Sequence, residues 1–162
     1  DSRISLRAFV QDGTDMIESS GSGDPARNIG SVKTAGGEFA VHQAVSSQVA
    51  VDFGVTLTSA RDEEADEPVP LIPSTLFTAA ATYESGPVRC TARAVRVGSR
   101  PGESGEDLDS YYLADARASY RTRRATFFVG AKNLFDTLYE DEEGFPQPGR
   151  SFEFGIQREF FE

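Results

Sequence analysis

Val49-Ala50-Val51-Asp52-Phe53-Gly54-Val55-Thr56-Leu57-Thr58 decides the fold. Val49, Val51, Phe53, Val55 and Leu57 alternate with Ala50, Asp52, Gly54, Thr56 and Thr58. Side chains alternate across a strand, so one face here is wholly apolar and the other small or polar. Seven further segments carry the same pattern. On the N-terminal side, Ile4, Leu6, Ala8 and Val10 oppose Ser5, Arg7, Phe9 and Gln11, and Phe39, Val41 and Val45 oppose Glu38, Ala40, His42 and Ala44. On the C-terminal side the segments are 77–84, 88–94, 112–121, 127–131 and 152–160, with Phe128 blurring the polar face of the seventh. Helical periodicity is poor throughout.

The connections sort by length. Short turns follow the second, fourth and sixth strands, at Ser46-Ser47-Gln48, Glu84-Ser85-Gly86-Pro87 and Thr122-Arg123-Arg124. Long ones follow the first, third, fifth and seventh. A transmembrane meander gives this alternation, with short turns on the periplasmic side and long loops outside. The expected fold is all-β: an antiparallel up-and-down transmembrane β-barrel segment of eight strands, with every long loop at one end. A soluble β-sandwich, its apolar faces meeting each other, is the competing reading. Hydrophobic residues make up 38% and no run approaches the ~20 apolar residues of a spanning helix. A spanning strand needs only ~9–11 residues with one apolar face, so this composition is compatible with a barrel.

A formal net charge of −10 argues against nucleic acid as a partner. The acidic residues gather in the loops: Asp62, Glu63, Glu64, Asp66 and Glu67; Glu103, Glu106, Asp107 and Asp109; Glu140, Asp141, Glu142 and Glu143. They read first as a solvated, self-repelling surface, and second as a divalent-cation site, although no run has EF-hand spacing. Cys90, the one cysteine, falls on the apolar face, as an inert thiol would. His42, the one histidine, points to the polar face with no second histidine in register, which favours an ordinary polar role over a metal or catalytic one. No nucleophile–base pair supports an enzyme. The opening Asp1-Ser2-Arg3 has no initiator Met and no apolar leader, so a mature form or a fragment is expected.

Several stretches resemble TonB-dependent outer-membrane receptors, in the family's order. Asn28-Ile29-Gly30 with Thr34-Ala35-Gly36-Gly37-Glu38 is similar to the passage leading into a down-going strand, and Ile72-Pro73 to the approach to the next. Most specific is Val129-Gly130-Ala131-Lys132-Asn133-Leu134-Phe135-Asp136, then Tyr139, then Pro148-Gly149-Arg150 before an aromatic-rich final strand. The resemblance covers essentially the whole chain but only the last third or so of such a receptor. It implies one β-barrel domain over 1–162, the plug and TonB box lying outside this stretch. Receptors of this kind are 22-stranded with a plugged lumen. Eight strands cannot enclose a plug, so the chain is expected to be either a piece of a longer receptor or a small closed barrel built from such a piece.

The resemblance implies an outer-membrane location and energy-coupled uptake of a scarce solute such as a siderophore-like iron chelate. The alternative is a small structural or adhesive barrel without transport. It implies no cofactor and no catalytic or metal residues. Its partners would be outer-membrane lipid, the barrel-assembly machinery, and TonB only through the plug. Glu153, Gly155 and Phe160 fit the C-terminal assembly signal, while Arg158 stands where an apolar residue is expected and Phe161-Glu162 run on.

Arg89, Arg93, Arg117 and Arg121, on two neighbouring strands, all point to the polar face, which Glu38, Asp52, Glu84, Asp115 and Glu153 share. They read as an interior ion-pair network, or as a charged wall that meets an anionic solute; the mixture of signs favours the network. Asp115 or Glu84 is expected within ion-pair distance of Arg93 or Arg117, because a buried cation needs a carboxylate. Asn133, Leu134, Phe135, Asp136, Tyr139, Pro148, Gly149 and Arg150 match the family motif with an expected structural role. Tyr83, Tyr112, Tyr120 and Phe160 fall near strand ends, as interfacial girdles do.

Overall fold

The computed structural model describes residues 1–14 and 30–158, and the backbone of 17–18 and 27–28. Eight strands run in order: β1 (Ser2–Thr14), β2 (Ser31–Ala44), β3 (Val49–Asp62), β4 (Thr75–Ser85), β5 (Val88–Val97), β6 (Tyr111–Arg121), β7 (Ala125–Lys132) and β8 (Ser151–Arg158). Each pairs antiparallel with the next, giving a single meander from β1 to β8. Among the described residues there is no helix. The meander sets all four long connections at one end and the three turns at the other.

Hydroxyls tie two of the turns. Ser46 Oγ accepts from the N–H groups of Gln48 and Val49, both at 3.1 Å. Thr122 Oγ1 accepts from Ala125 at 3.1 Å, and the Thr122 N–H donates to the Ala125 carbonyl at 2.7 Å. Between them, Gly86 turns β4 into β5 with φ +54°, a left-handed conformation that favours glycine. At the other end every long loop carries a short ladder: 17–18 with 27–28, Glu67–Pro68 on β3, Arg100–Pro101 with Asp107–Leu108, and Glu140–Glu142 with Phe145–Pro146.

Register keeps the two faces separate. One row on the apolar face runs Ile4, Val41, Phe53, Ala79, Ala94 and Ala114. The adjacent row on the other face runs Arg3, His42, Asp52, Ala80, Arg93 and Asp115. Among the described residues nothing covers the apolar face: Leu6 is 80% and Phe154 88% exposed, and the only buried hydrophobic residues are Val32 and Ala60. A sandwich would need a second sheet there, and the described residues form none.

The second strand begins seven residues earlier than its alternation suggests, and takes in Gly36 and Gly37. The cause lies on β1. Phe9 pairs with Gly36, and a side chain at Gly36 would collide with the Phe9 ring. Phe128 repeats the device with its partner Gly155, where a Cβ would stand 2.6 Å from the ring. Two aromatic residues thus lie on the polar face because each faces a glycine.

The closed eight-stranded alternative is not formed among the described residues: β1 bonds along its length only to β2, and β8 only to β7. Among the described residues, each of these two strands is laddered along one side.

The two faces should answer differently to charge. Ala81→Arg, on the apolar face, should cost about 2–4 kcal/mol in denaturant titrations of the protein folded into lipid vesicles. Thr82→Arg, one residue on, should stay within about 0.5 kcal/mol. Equal costs would mean that both faces share one environment.

Candidate functional site

On the polar face most ion pairs are cross-strand neighbours. Arg7 meets Glu38 at 3.5 Å, His42 Nδ1 meets Asp52 Oδ1 at 2.8 Å, and Arg89 meets Glu84 at 3.0 Å. Arg117 reaches Glu153 at 3.1 Å across β7, passing over Gly130, where a Cβ would crowd Glu153. Its guanidinium also lies 3.9 Å from the Phe128 ring centroid. These groups are half-hydrated, with the Arg117 and Glu153 side chains 47% and 41% exposed. The dense interior expected of a narrow barrel is therefore absent from the described wall. Such exposed pairs contribute about 0–1 kcal/mol each.

Asp115 does not meet an arginine as expected. It lies opposite Arg93 in register, but its Oδ1 accepts the Asn133 N–H at 2.9 Å. The carboxylate that reaches Arg117 is Glu153, and Glu84 is committed to Arg89. Among the described residues, no ion pair forms at Arg93 or Arg121.

The motif residues gather where β7 gives way to the fourth long loop. Asn133 has φ +49° and is 5% exposed. Its Nδ2 donates to the carbonyls of Thr137 at 2.9 Å and Pro148 at 3.4 Å, and its Oδ1 accepts from the Thr137 N–H at 2.9 Å. The Leu134 N–H donates to the Ala114 carbonyl at 2.8 Å. Asp136, with φ +55°, accepts the Arg150 N–H at 2.7 Å. Gly149 permits that approach, since a Cβ there would stand 2.7 Å from Asp136 Oδ1. Arg150 Nη1 closes on the Leu134 carbonyl at 3.3 Å. Phe135 points outward and meets Tyr112 edge-on at 6.1 Å. One polar knot therefore holds both feet of the loop.

Beside it, Arg100 of the third long loop is 3% exposed, a burial that the sequence does not announce. Its one signal is a lone cation in an acidic loop. The Nη2 group donates to the Glu140 carbonyl and stands 3.9 Å from Asp141, while the guanidinium lies 5.4 Å from the Tyr111 ring centroid. Tyr111 donates to Asp141 at 2.5 Å and packs on Tyr139 with centroids 4.5 Å apart. Burial, then the charges of Asp141 and Asp115, raise the Tyr139 phenol above its usual pKa. Ser104 donates to Glu143 at 2.7 Å, and the Leu71 N–H to the Pro101 carbonyl at 2.8 Å. The second, third and fourth loops are thus tied together above the wall. Among the described residues, no three of His, Cys, Asp or Glu converge as metal ligands.

Of the assembly-signal residues, Glu153 pairs with Arg117 and Gly155 accommodates Phe128, while Phe160 lies outside the described residues, as does Ile29 of the early motif. Cys90 lies on the apolar face, partly exposed.

A one-layer antiparallel meander, apolar outside and charged inside, with its loops at one end, is the wall of a membrane β-barrel. The comparisons specify which. A profile of the TonB dependent receptor-like β-barrel matches residues 1–134. The copper transporter OprC superposes with a TM-score of 0.79 at 20% identity, over 96% of this chain and 28% of that one. The ferric-catecholate import receptor Fiu of E. coli does so with 0.72 at 24%, over 98% and 25%. A mutant of the ferric enterobactin receptor PfeA of Pseudomonas aeruginosa gives 0.79 at 17%, over 97% and 29%. No curated protein matches in sequence. The chain belongs to the TonB-dependent receptor β-barrel family, whose members are outer-membrane proteins, and it spans about a quarter of the length of these solved relatives.

Asn133→Ala should destabilise the assembled protein by about 4–5 kcal/mol, from three lost hydrogen bonds of about 1 kcal/mol each and about 1–2 kcal/mol of left-handed strain. Asn133→Gly should recover the strain alone. Protease accessibility of residues 138–147, read beside denaturation, checks both; wild-type behaviour in each variant would deny the knot its role.

Proposed function

We propose that this chain is a run of eight consecutive wall strands, C-terminal by the order of its motifs, in a receptor that takes up a scarce solute such as a siderophore-like metal chelate. The open edges carry the reading. Among the described residues β1 and β8 are laddered on one side only, an arrangement not tolerated in lipid, so in this reading further strands bond to both. The half-hydrated inner wall agrees, since a wide lumen keeps its charges wet whereas an eight-stranded barrel fills its interior with side chains. The named relatives include a copper transporter and receptors for ferric catecholates and ferric enterobactin, which favours a metal chelate as cargo.

In this reading the plug and TonB box lie elsewhere in the protein, and TonB acts through the plug. Arg93 and Arg121, which like Arg3 form no ion pair among the described residues, are wall cations free to meet an anionic chelate or an acidic plug surface. Arg89 and Arg117 are held by Glu84 and Glu153 and contribute less. The knot of Asn133, Leu134, Asp136, Pro148, Gly149 and Arg150, with Phe135 and Tyr139 at its margins, supports the loop rather than binding cargo. Glu153, Gly155 and Phe160 serve recognition by the assembly machinery. The arrangement offers a binding wall.

Cells lacking the gene should lose accumulation of a radiolabelled ferric siderophore from a tested panel, and recover it with the intact gene. Recovery should require TonB and an energised membrane. Arg93→Ala should weaken uptake several-fold with surface expression unchanged. Unchanged accumulation of every chelate tested, or rescue without TonB, would overturn the proposal.

A further inference from the structure

The turn between β6 and β7 carries charge for which its geometry has no need. Thr122 fixes it: the N–H donates to the Ala125 carbonyl at 2.7 Å, and Oγ1 accepts from the N–H groups of Arg124 at 3.4 Å and Ala125 at 3.1 Å. Arg123 and Arg124 stand at the apex, where two-residue turns ordinarily use Gly, Asn or Asp. Both are exposed, and among the described residues neither forms an ion pair. The other two turns carry no cation. Ser46-Ser47-Gln48 is neutral, and in Glu84-Ser85-Gly86-Pro87 the one charge, Glu84, pairs with Arg89 at 3.0 Å. In a chain of formal net charge −10, the basic apex is therefore a local feature.

The strand ends beside the turn set its height in the membrane. Tyr120 and Phe127 face each other across β6 and β7 on the outward face, 51% and 45% exposed, with Ile156 beside Phe127 on β8. Outward aromatic residues at strand ends mark the interface of a membrane barrel. Arg123 lies three residues beyond Tyr120, about 10 Å along the strand or about 7 Å in height at the usual tilt. The headgroup zone on each side of the hydrocarbon is about 5–7 Å deep. Arg158, opposite Ala125 in register and two residues beyond Ile156, occupies an outward position at the same level. Short turns of such barrels face the periplasm, so this is the headgroup level of the periplasmic leaflet.

We propose that this turn binds an anionic phospholipid of the periplasmic leaflet, its phosphate on Arg123 and Arg124 and its glycerol and upper acyl carbons against Tyr120 and Phe127. A guanidinium donates to phosphate in paired, charge-assisted hydrogen bonds. Two adjacent cations repel each other, and a shared anion offsets that repulsion. Lipid fits better than an acidic protein, because the charged apex runs straight into an outward aromatic row and so offers headgroup and chain contacts together. The cation at Arg158, where the assembly signal has an apolar residue, extends the same patch. The inference rests on placement in the membrane, not on uptake, so loss of the transport reading would leave it standing.

The test uses the full protein in nanodiscs containing equal amounts of phosphatidylglycerol and phosphatidylethanolamine, released into mild detergent and examined by native mass spectrometry. Each arginine near an anionic surface strengthens binding about fivefold, so phosphatidylglycerol should be retained at least about tenfold over phosphatidylethanolamine. Arg123→Gln should cut that preference about fivefold, and the double variant with Arg124→Gln should abolish it. Lys33→Gln, at the loop end, should leave it unchanged. Heat-modifiable gel mobility shows that each variant is folded. Equal retention of the two lipids, or wild-type preference in the double variant, would overturn the proposal. So would displacement of phosphatidylglycerol by polyglutamate, which would assign the turn to an acidic protein instead.

Discussion

Backbone hydrogen bonding in a medium without water is the constraint on which this structure depends. A strand in lipid has no alternative partner for its N–H and C=O groups, so each must be bonded along both sides. From β2 to β7 the meander satisfies this by pairing each strand with both chain neighbours. Once the ladders are fixed, register fixes facing. A slip of one residue anywhere between β1 and β8 would move charges such as Asp52 and Arg93 into lipid. The short turns need only reverse direction. Everything variable is pushed to the opposite end.

The inner wall is held by those ladders more than by its charges. Of its ion pairs, all but Arg117–Glu153, which crosses β7, join neighbours that the backbone has already placed side by side, and each remains in contact with water. Glycine makes more difference. Gly36, Gly130 and Gly155 let Phe9, Glu153 and Phe128 lie across adjacent strands, so the wall has room for bulky groups on its polar face. The loop end is organised differently, around two buried polar side chains, Asn133 and Arg100, whose bonds are to backbone carbonyls as much as to side chains.

Alternation made most of this legible in the sequence. β3 and β6 show clean period-two patterns because neither face is interrupted, and the sorting of loops by length gave the sidedness. β2 was only half visible, since Gly36 and Gly37 have no side chains to alternate and their purpose lies on β1. The closed barrel was a poor guide to the charges, because exposure depends on how many strands complete the wall. Asp115 was assigned to an arginine since side-chain patterns do not display backbone donors such as the Asn133 N–H. Family order located the Asn133 motif, but only coordinates show which carbonyls it holds. Arg100 was not singled out: one arginine among carboxylates looks like any surface cation until Tyr111, Tyr139 and Glu140 close over it.

The Asn133 knot has an evolutionary consequence. By holding Thr137 and Pro148 on one side chain, it pinches the fourth loop into a ring with its base on the wall. Residues beyond that base can change without disturbing strand register, which makes the tip an exchangeable cassette. Its exchange is not independent, however, because Glu143 reaches Ser104 on the neighbouring loop and Asp141 reaches Tyr111 where that loop enters β6. Two cassettes joined in this way must drift together, so diversification at the cell surface would proceed by matched pairs of loops rather than loop by loop.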